Sequence, residues 1–300
     1  MPTPADLFPG FAKHQVASPG GGLFVRVGGQ GPPLALLHGF PQTHAEWHKI
    51  APALAARFTL IIPDLRGYGG SAMPESHGGD AYTKRLMAED VIALMAQFGF
   101  HQFAVVGHDR GARVAYRLAL DHPERVTRLA LIDILPTYQM WARMDAARAM
   151  QAYHWMFLAQ PAPLPETLIA GAPQLYLDHT LASWTKGKSL QGFDERALAQ
   201  YRAAFAAPGR IHACCEDYRA GATHDRLADE ADLAARKTLA MPVLALWGTA
   251  GIPAGAQSGL GPLELWAALA PGITGVALDG GHFLPEENPQ ACAAALLAFL

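Results

Sequence analysis

The string Val105-Val106-Gly107-His108-Asp109-Arg110-Gly111-Ala112 carries an apolar run into small residues that flank a single acid, and then into a helical pattern. Such a strand–turn–helix is a nucleophile elbow. The central side chain is forced onto a strained perch above the strand end, and its neighbours must be small because the strand and helix backbones nearly touch. Serine is the usual occupant; here it is Asp109, whose chemistry would be attack by a carboxylate on carbon to form an ester. Taken alone the string has a second reading, because an aspartate at a strand-to-helix junction is also a good N-cap.

Three further segments favour the chemical reading. Leu36-Leu37-His38-Gly39-Phe40-Pro41-Gln42 follows an apolar run, and an HG-x-P loop there presents backbone N–H groups beside the elbow, half of an oxyanion hole. Asp64-Leu65-Arg66-Gly67-Tyr68-Gly69-Gly70-Ser71 follows the next buried run. Gly280-Gly281-His282-Phe283 follows the last, where a loop histidine faces the elbow across the carboxyl edge of a sheet and becomes the catalytic base. A third member must hold the imidazole tautomer and stabilise its charge. Leu244 to Trp247 runs into Gly248-Thr249-Ala250-Gly251 with no acid, whereas Leu129 to Ile132 runs directly into Asp133, which takes the role. Asp279 is the weaker alternative, only three residues before His282 and equally suited to capping a turn.

Positioning these groups requires a parallel sheet wrapped by helices, and the periodicity supplies one. Strands are expected at Leu23–Val27, Leu34–His38, Phe58–Pro63, Phe103–Gly107 and Leu129–Asp133, with helices at Ala45–Ala56, Lys84–Phe98 and Arg110–Asp121 between them. The pattern returns at Val243–Gly248 and Gly275–Asp279 and closes with a helix from Pro289. The fold class is therefore α/β, a mostly parallel central sheet flanked by helices, with a core formed by residues 1–136 and 231–300. Residues 137–230 carry no comparable buried strands, only aromatic-rich helical segments broken by prolines, and are expected to form an inserted helical cap. The glycines at 20–22 and 28–31 read as hairpin punctuation, since neither run completes GxGxxG before a helix.

Composition narrows the function classes. Lys plus Arg number 23 against 26 Asp plus Glu, a net charge of −3, so no basic excess suits a nucleic-acid partner. The apolar stretches fall short of the roughly 20 residues that span a bilayer, and MPTPADLFPGF lacks a basic region followed by an apolar core, so no membrane association or export is expected. Three cysteines without metal-ligand spacing suit a reducing, cytoplasmic setting.

These motifs resemble the α/β-hydrolase superfamily over almost the whole chain, and specifically its branch with an aspartate nucleophile: haloalkane dehalogenases, epoxide hydrolases and haloacetate dehalogenases. The fluoroacetate (haloacetate) dehalogenase family is the nearest match, because Arg110 and not tryptophan follows the nucleophile and Arg113 lies one turn on. That resemblance implies hydrolysis of a small 2-haloacetate in two steps: Asp109 expels halide, then water activated by His282 and Asp133 cleaves the ester. Backbone N–H groups of Phe40 and Arg110 would hold the oxyanion. Two guanidinium groups suit a substrate whose carboxylate repels the attacking one by about 4 kcal/mol at ~4 Å and an effective dielectric of ~20. Cations at a helix N-terminus also oppose the macrodipole and need a compensating reason. The resemblance further points to Tyr153-His154-Trp155, Ser183-Trp184-Thr185 and Cys215 to Gly221 in the cap, with His154, Trp155 and Tyr218 binding halide and Trp184 lining the pocket. It implies no metal or organic cofactor, a homodimer, and fluoroacetate as the first substrate to try.

Two rivals remain at this stage. An epoxide hydrolase shares the loop, the elbow and the His–Asp pair but needs two cap tyrosines, for which Tyr153, Tyr176, Tyr201 and Tyr218 are available. A non-catalytic protein of this fold that senses a small carboxylate would need no base. A metal site at His44-Ala45-Glu46-Trp47-His48 is disfavoured, because the glutamate is not where HExxH needs it; these side chains are expected to solvate a helix or line the entrance.

Overall fold

The computed structural model describes residues 6–255 and 259–300; part of the N-terminal stretch read above, residues 1–5, lies outside them. Among the described residues eight strands form one sheet, in the order β1-β2-β4-β3-β5-β6-β7-β8. They are β1 (Ala12–Ser18), β2 (Gly21–Gly28), β3 (Pro33–Leu37), β4 (Thr59–Pro63), β5 (Phe103–His108), β6 (Val126–Ile132), β7 (Val243–Gly248) and β8 (Thr274–Leu278). Strands β3 to β8 are parallel, and the β1–β2 pair joins β4 antiparallel. All of β5 is buried, as are all but the first residue of β3 and of β4. A parallel strand covered by helices on both faces therefore reads as an unbroken apolar run.

Seven strands fall where the sequence places them. The eighth, β1, was not expected: of Ala12 to Ser18 only Val16 is buried, and the polar residues between leave no apolar run to read. The glycines at 28–31 are not a hairpin. They turn the chain from β2 to β3, which lies beyond β4 in the sheet. The helix expected at Ala45–Ala56 is split into a 3₁₀ turn, His44–Lys49, and α1 (Ala51–Ala55), with Pro52 in the first turn of α1, where its missing N–H is tolerated.

Helices α2 (Lys84–Gln97) and α3 (Asp109–Asp121) pack on each other and hold the sheet's flank. Between β6 and β7 the described elements are all helical: α4 (Thr137–Ala142), α5 (Ala146–Gln151), α6 (Tyr153–Leu158), α7 (Leu164–Ala170), α8 (Pro173–Trp184), α9 (Glu195–Phe205), α10 (Arg210–Ala222) and α11 (His224–Ala234). The division at Glu230 used above falls inside α11. The chain ends with α12 (Pro262–Trp266), α13 (Leu284–Glu287) and α14 (Pro289–Phe299). No helix among the described residues is long and apolar enough to cross a membrane.

Candidate active site

The carboxyl ends of β3, β5, β6 and β8 deliver the expected groups to one edge of the sheet. At the end of β5 the chain turns into α3 at Asp109 itself, whose φ of +44° lies in the left-handed region that non-glycine residues avoid. That conformation costs on the order of 1–2 kcal/mol and is held by close packing around it. A Cβ on Gly111 would stand 2.1 Å from the Leu37 carbonyl oxygen, and one on Gly107 would stand 2.5 Å from Ala112 Cα. Only hydrogen fits at either place, which explains the small residues flanking the acid.

Asp109 is buried but less completely than its neighbours. It keeps 6% of its surface exposed, whereas His108 and Arg110 on either side keep none. Its Oδ2 accepts the Phe40 N–H at 3.0 Å. Burial alone would push this carboxyl up, but His282, His108, Arg110 and Arg113 together hold it below the ordinary value. At neutral pH it is therefore an anion. The second expected oxyanion donor, the Arg110 N–H, makes no hydrogen bond to the carboxylate among the described residues.

His282 lies on the loop after β8, its backbone N–H held by the Trp184 carbonyl at 3.0 Å. Its Nδ1 is 2.6 Å from Asp133 Oδ2, while Asp133 Oδ1 accepts the Gly248 N–H at 2.9 Å. Asp133 too has a left-handed backbone, φ +52°, and its N–H continues the ladder to Leu246 at 2.7 Å. A Cβ on Gly251 would lie 2.1 Å from Asp133 Oδ1, so the acid at the end of β6 needs the glycine after β7. His282 Nε2 is buried without a partner. Asp279, the alternative acid, is exposed and pairs with Lys186 and Thr249.

Arg110 and Arg113 differ sharply in their surroundings. Arg110 donates from Nε to Asp217 Oδ2 at 2.9 Å and from Nη2 to Asp217 Oδ1 at 2.8 Å and to its carbonyl at 2.6 Å. Asp217 also takes the Tyr68 hydroxyl at 2.7 Å and pairs with the buried Lys84. Arg113 meets only neutral oxygens, the Leu135 carbonyl at 3.1 Å and Thr137 Oγ1 at 2.9 Å. Its guanidinium lies over the Trp155 ring at 4.5 Å and that of Arg110 over the Tyr218 ring at 4.4 Å. Arg110 Nη1 and Arg113 Nε are buried without partners.

From the cap, α6 brings His154 and Trp155 and α10 brings Tyr218, all buried. His154 packs between Trp184 and Tyr218, with ring centroids 4.3 and 5.6 Å away, and Tyr218 lies 5.1 Å from the Phe40 ring. Burial, reinforced by His282 and the two arginines against the pull of Asp109, lowers His154 to about 3, so its ring is neutral. His154 Nδ1 and the Tyr218 hydroxyl are again buried without partners. Trp184 stands edge-on to His282 at 5.3 Å. A cavity of about 230 Å³ reaches His282 past Trp184, Tyr153, His179, Ser183 and Lys188.

Other buried polar groups escaped the sequence reading. His44, Glu46 and His48 neither solvate a helix nor form an entrance rim: all are buried, with Glu46 fully so and His44 bound to Asp64 at 2.8 Å. Glu46 lies beneath the elbow, 3.1 Å from His108 Nδ1. Asp217 is not singled out within Cys215 to Gly221 by sequence alone, though a buried arginine needs an acid and Asp217 directly precedes Tyr218. Among the described residues no group of three or more His, Cys, Asp or Glu is placed to hold a metal ion.

Residues 32–289 match the family model of the alpha/beta hydrolase fold. A fluoroacetate dehalogenase from Burkholderia sp is 40% identical over 98% of this chain and 95% of its own length. A soluble epoxide hydrolase from Corynebacterium sp. (strain C12) is 34% identical over 92% of this chain and 93% of its own. A solved structure from Nostoc sp PCC 7120 superposes with a TM-score of 0.92 at 47% identity, covering 96% of this chain and 97% of that one.

Proposed function

The chain belongs to the α/β-hydrolase fold family, and from that premise we propose that it hydrolyses the carbon–halogen bond of small 2-haloacetates, fluoroacetate first, to glycolate and halide. The observation that carries this reading is a set of buried polar atoms with no partner in the protein: Arg110 Nη1, Arg113 Nε, His154 Nδ1, the Tyr218 hydroxyl and His282 Nε2. A buried polar group left unpaired costs about 1–3 kcal/mol, and five of them gathered around one carboxylate suit a ligand that would satisfy them. That ligand is anionic at one end, for the arginines, and releases an anion at the other, for the cap.

In the first step Asp109 Oδ1 attacks the α-carbon while Oδ2 stays on the Phe40 N–H. The carbon–halogen bond breaks with its electron pair on the halide, which Tyr218, His154 and Trp155 receive. Each charge-assisted hydrogen bond contributes about 1.5–3 kcal/mol, and fluoride, charge-dense and a poor leaving group, gains most from them. In the second step water adds to Asp109 Cγ and gives its proton to His282 Nε2; the carbonyl electrons move onto Oδ2, held by Phe40. Collapse of this intermediate breaks the bond from Cγ to the alkyl oxygen, and glycolate leaves with the proton from His282. Asp133 keeps Nδ1 protonated so that Nε2 is the free base.

The similarity to an epoxide hydrolase favours one rival, which would use Tyr218 to protonate an opening ring. Of its candidate tyrosines Tyr201 is committed to Glu286 at 2.6 Å, whereas Tyr153 lines the cavity that reaches His282 and is available as the second. Both arginines, however, would face a neutral substrate. A fluoride-electrode assay with fluoroacetate, beside chloroacetate and styrene oxide, separates the readings. Halide release supports the proposal; styrene oxide turnover without chloroacetate turnover overturns it. Single turnover in heavy-oxygen water should place the label in the Asp109 carboxylate, and label appearing directly in glycolate would remove the ester. A cytoplasmic homodimer belongs to the same reading, and sedimentation of the purified protein tests the dimer.

A further inference from the structure

The reaction proposed above makes no use of a buried pair directly behind the nucleophile. Glu46 and His108 are both fully buried, their nearest atoms 3.1 Å apart. The approach is close but is not that of an aligned hydrogen bond, so the attraction is that of an ion pair. The remaining atoms of the pair reach outward. Glu46 Oε2 accepts the Gly39 N–H at 2.9 Å, one residue before the Phe40 donor of the oxyanion hole. His108 Nε2 lies 2.9 Å from the backbone oxygen of His282, and the two imidazole rings are 4.6 Å apart. His108 is itself the residue before Asp109. Burial opposes a charge on this ring, but Glu46, with Asp109 and Asp133, raises it to about 9, so at neutral pH it is a cation able to donate from both nitrogens.

We propose that Glu46 and His108 form a positioning pair for the second half of the reaction, tying the Gly39–Phe40 loop, the elbow and the His282 backbone into the one arrangement from which the Asp109 ester is hydrolysed. The inference rests on the covalent reading of the preceding section. A buried ion pair is a poor source of stability, since apolar residues of similar volume are often as good or better, and its best-attested use is to fix register. Here three separate chain segments, after β3, at the end of β5 and after β8, meet at four polar atoms of two side chains. Attack on the substrate needs Asp109 Oδ1, a seated substrate and the halide donors of the cap, to none of which the pair's side chains are hydrogen-bonded. Hydrolysis needs the oxyanion donor on the loop and the proton acceptor on His282 in place at once, so loosening the pair slows that step selectively.

The test is Glu46→Gln, whose amide keeps an oxygen for Gly39 but sets an N–H₂ against His108. Wild type, Glu46→Gln and His282→Ala are mixed with excess chloroacetate, quenched at steady state, digested and weighed at the Asp109 peptide; the ester-forming step is timed in single turnover. The expected result is ester formation within about twofold of wild type, kcat lowered about tenfold to a hundredfold, as misplacement of a reacting group by an ångström does, and most Asp109 found as the carboxymethyl ester. Proportional loss in both steps, or no ester build-up, would assign the pair to packing alone and overturn the proposal. Ester in His282→Ala but not in Glu46→Gln overturns only the pair; no ester in either overturns the covalent reading with it. Should Glu46→Gln fail to fold, His108→Gln, which removes the cation and keeps an N–H donor, is read by the same outcomes.

Discussion

Arg110 spends three hydrogen bonds on Asp217, whereas Arg113, one turn along the same helix, meets no carboxylate at all. If the substrate is a carboxylate as proposed, the two guanidinium groups would do different work on it: Arg110 would offer Nη1 alone, its charge already offset, and Arg113 would be the cation left to neutralise the substrate.

Arg113→Gln should accordingly lower kcat/KM for chloroacetate by about 10²–10³-fold, the scale of one close charge interaction at intermediate dielectric. Arg113→Lys should recover part of that loss, because charge survives although the planar donor does not. Steady-state kinetics measure both. Equal losses for Lys and Gln would show that orientation, and not charge, is what Arg113 supplies.

Asp133→Asn should keep the fold and lose turnover. An amide can still accept the Gly248 N–H, but facing His282 it offers a donor to a donor and favours the wrong tautomer. A kcat lower by about 10³–10⁴-fold is expected from this tautomer effect, with little change in KM. Circular dichroism of the variant separates this from unfolding.

Tyr218→Phe removes one donor from the leaving-group pocket. The loss should be about 10–100-fold with fluoroacetate, from a charge-assisted bond of about 1.5–3 kcal/mol, and clearly smaller with bromoacetate. Comparing kcat for the two substrates checks it. An equal loss for both would place the hydroxyl elsewhere in the reaction.

Glu286, buried and bound by Tyr201, is pushed up to about 8 by burial, against the pull of Tyr201 and Lys49. Between its ordinary value of 4.5 and 8 the folded chain holds a proton that the unfolded chain has released. Stability therefore falls as pH rises through that window, by at most about 1.4 kcal/mol per pH unit. His108, raised to about 9, acts in the same direction between 6.5 and 9. Glu286→Gln should flatten the decline, so the difference in urea midpoint between wild type and variant should change from pH 5.5 to pH 8. A constant difference would show that this carboxyl does not titrate in that range.

The sequence exposed most where chemistry and backbone geometry constrain the same residues. The elbow, the HG-x-P loop and the acid at the end of β6 could be read because each sits at the end of an unbroken apolar run, and a Cβ on their glycines would meet neighbours at 2.1 to 2.7 Å. Strand β1 was hidden because AKHQVAS holds no apolar run, whereas β8, equally exposed at the other edge, was legible from TGVAL. Glu46 was misread because a 3₁₀ turn buries residues that helical periodicity would place outside. Nothing in the order of residues brings Asp217 to Arg110, 107 positions away, or Glu286 to Tyr201. Those pairs exist only once the insert has folded down on the sheet.

The groups that would form and cleave the ester stand on the sheet, while those that would receive the departing anion stand on α6 and α10. Descent with modification can then act on one half more freely than on the other, wherever Asp217 and Trp184 keep their holds on Arg110 and His282. Substitutions in the insert would retune which bond a lineage learns to break, and the inherited apparatus for clearing the stump would remain untouched beneath.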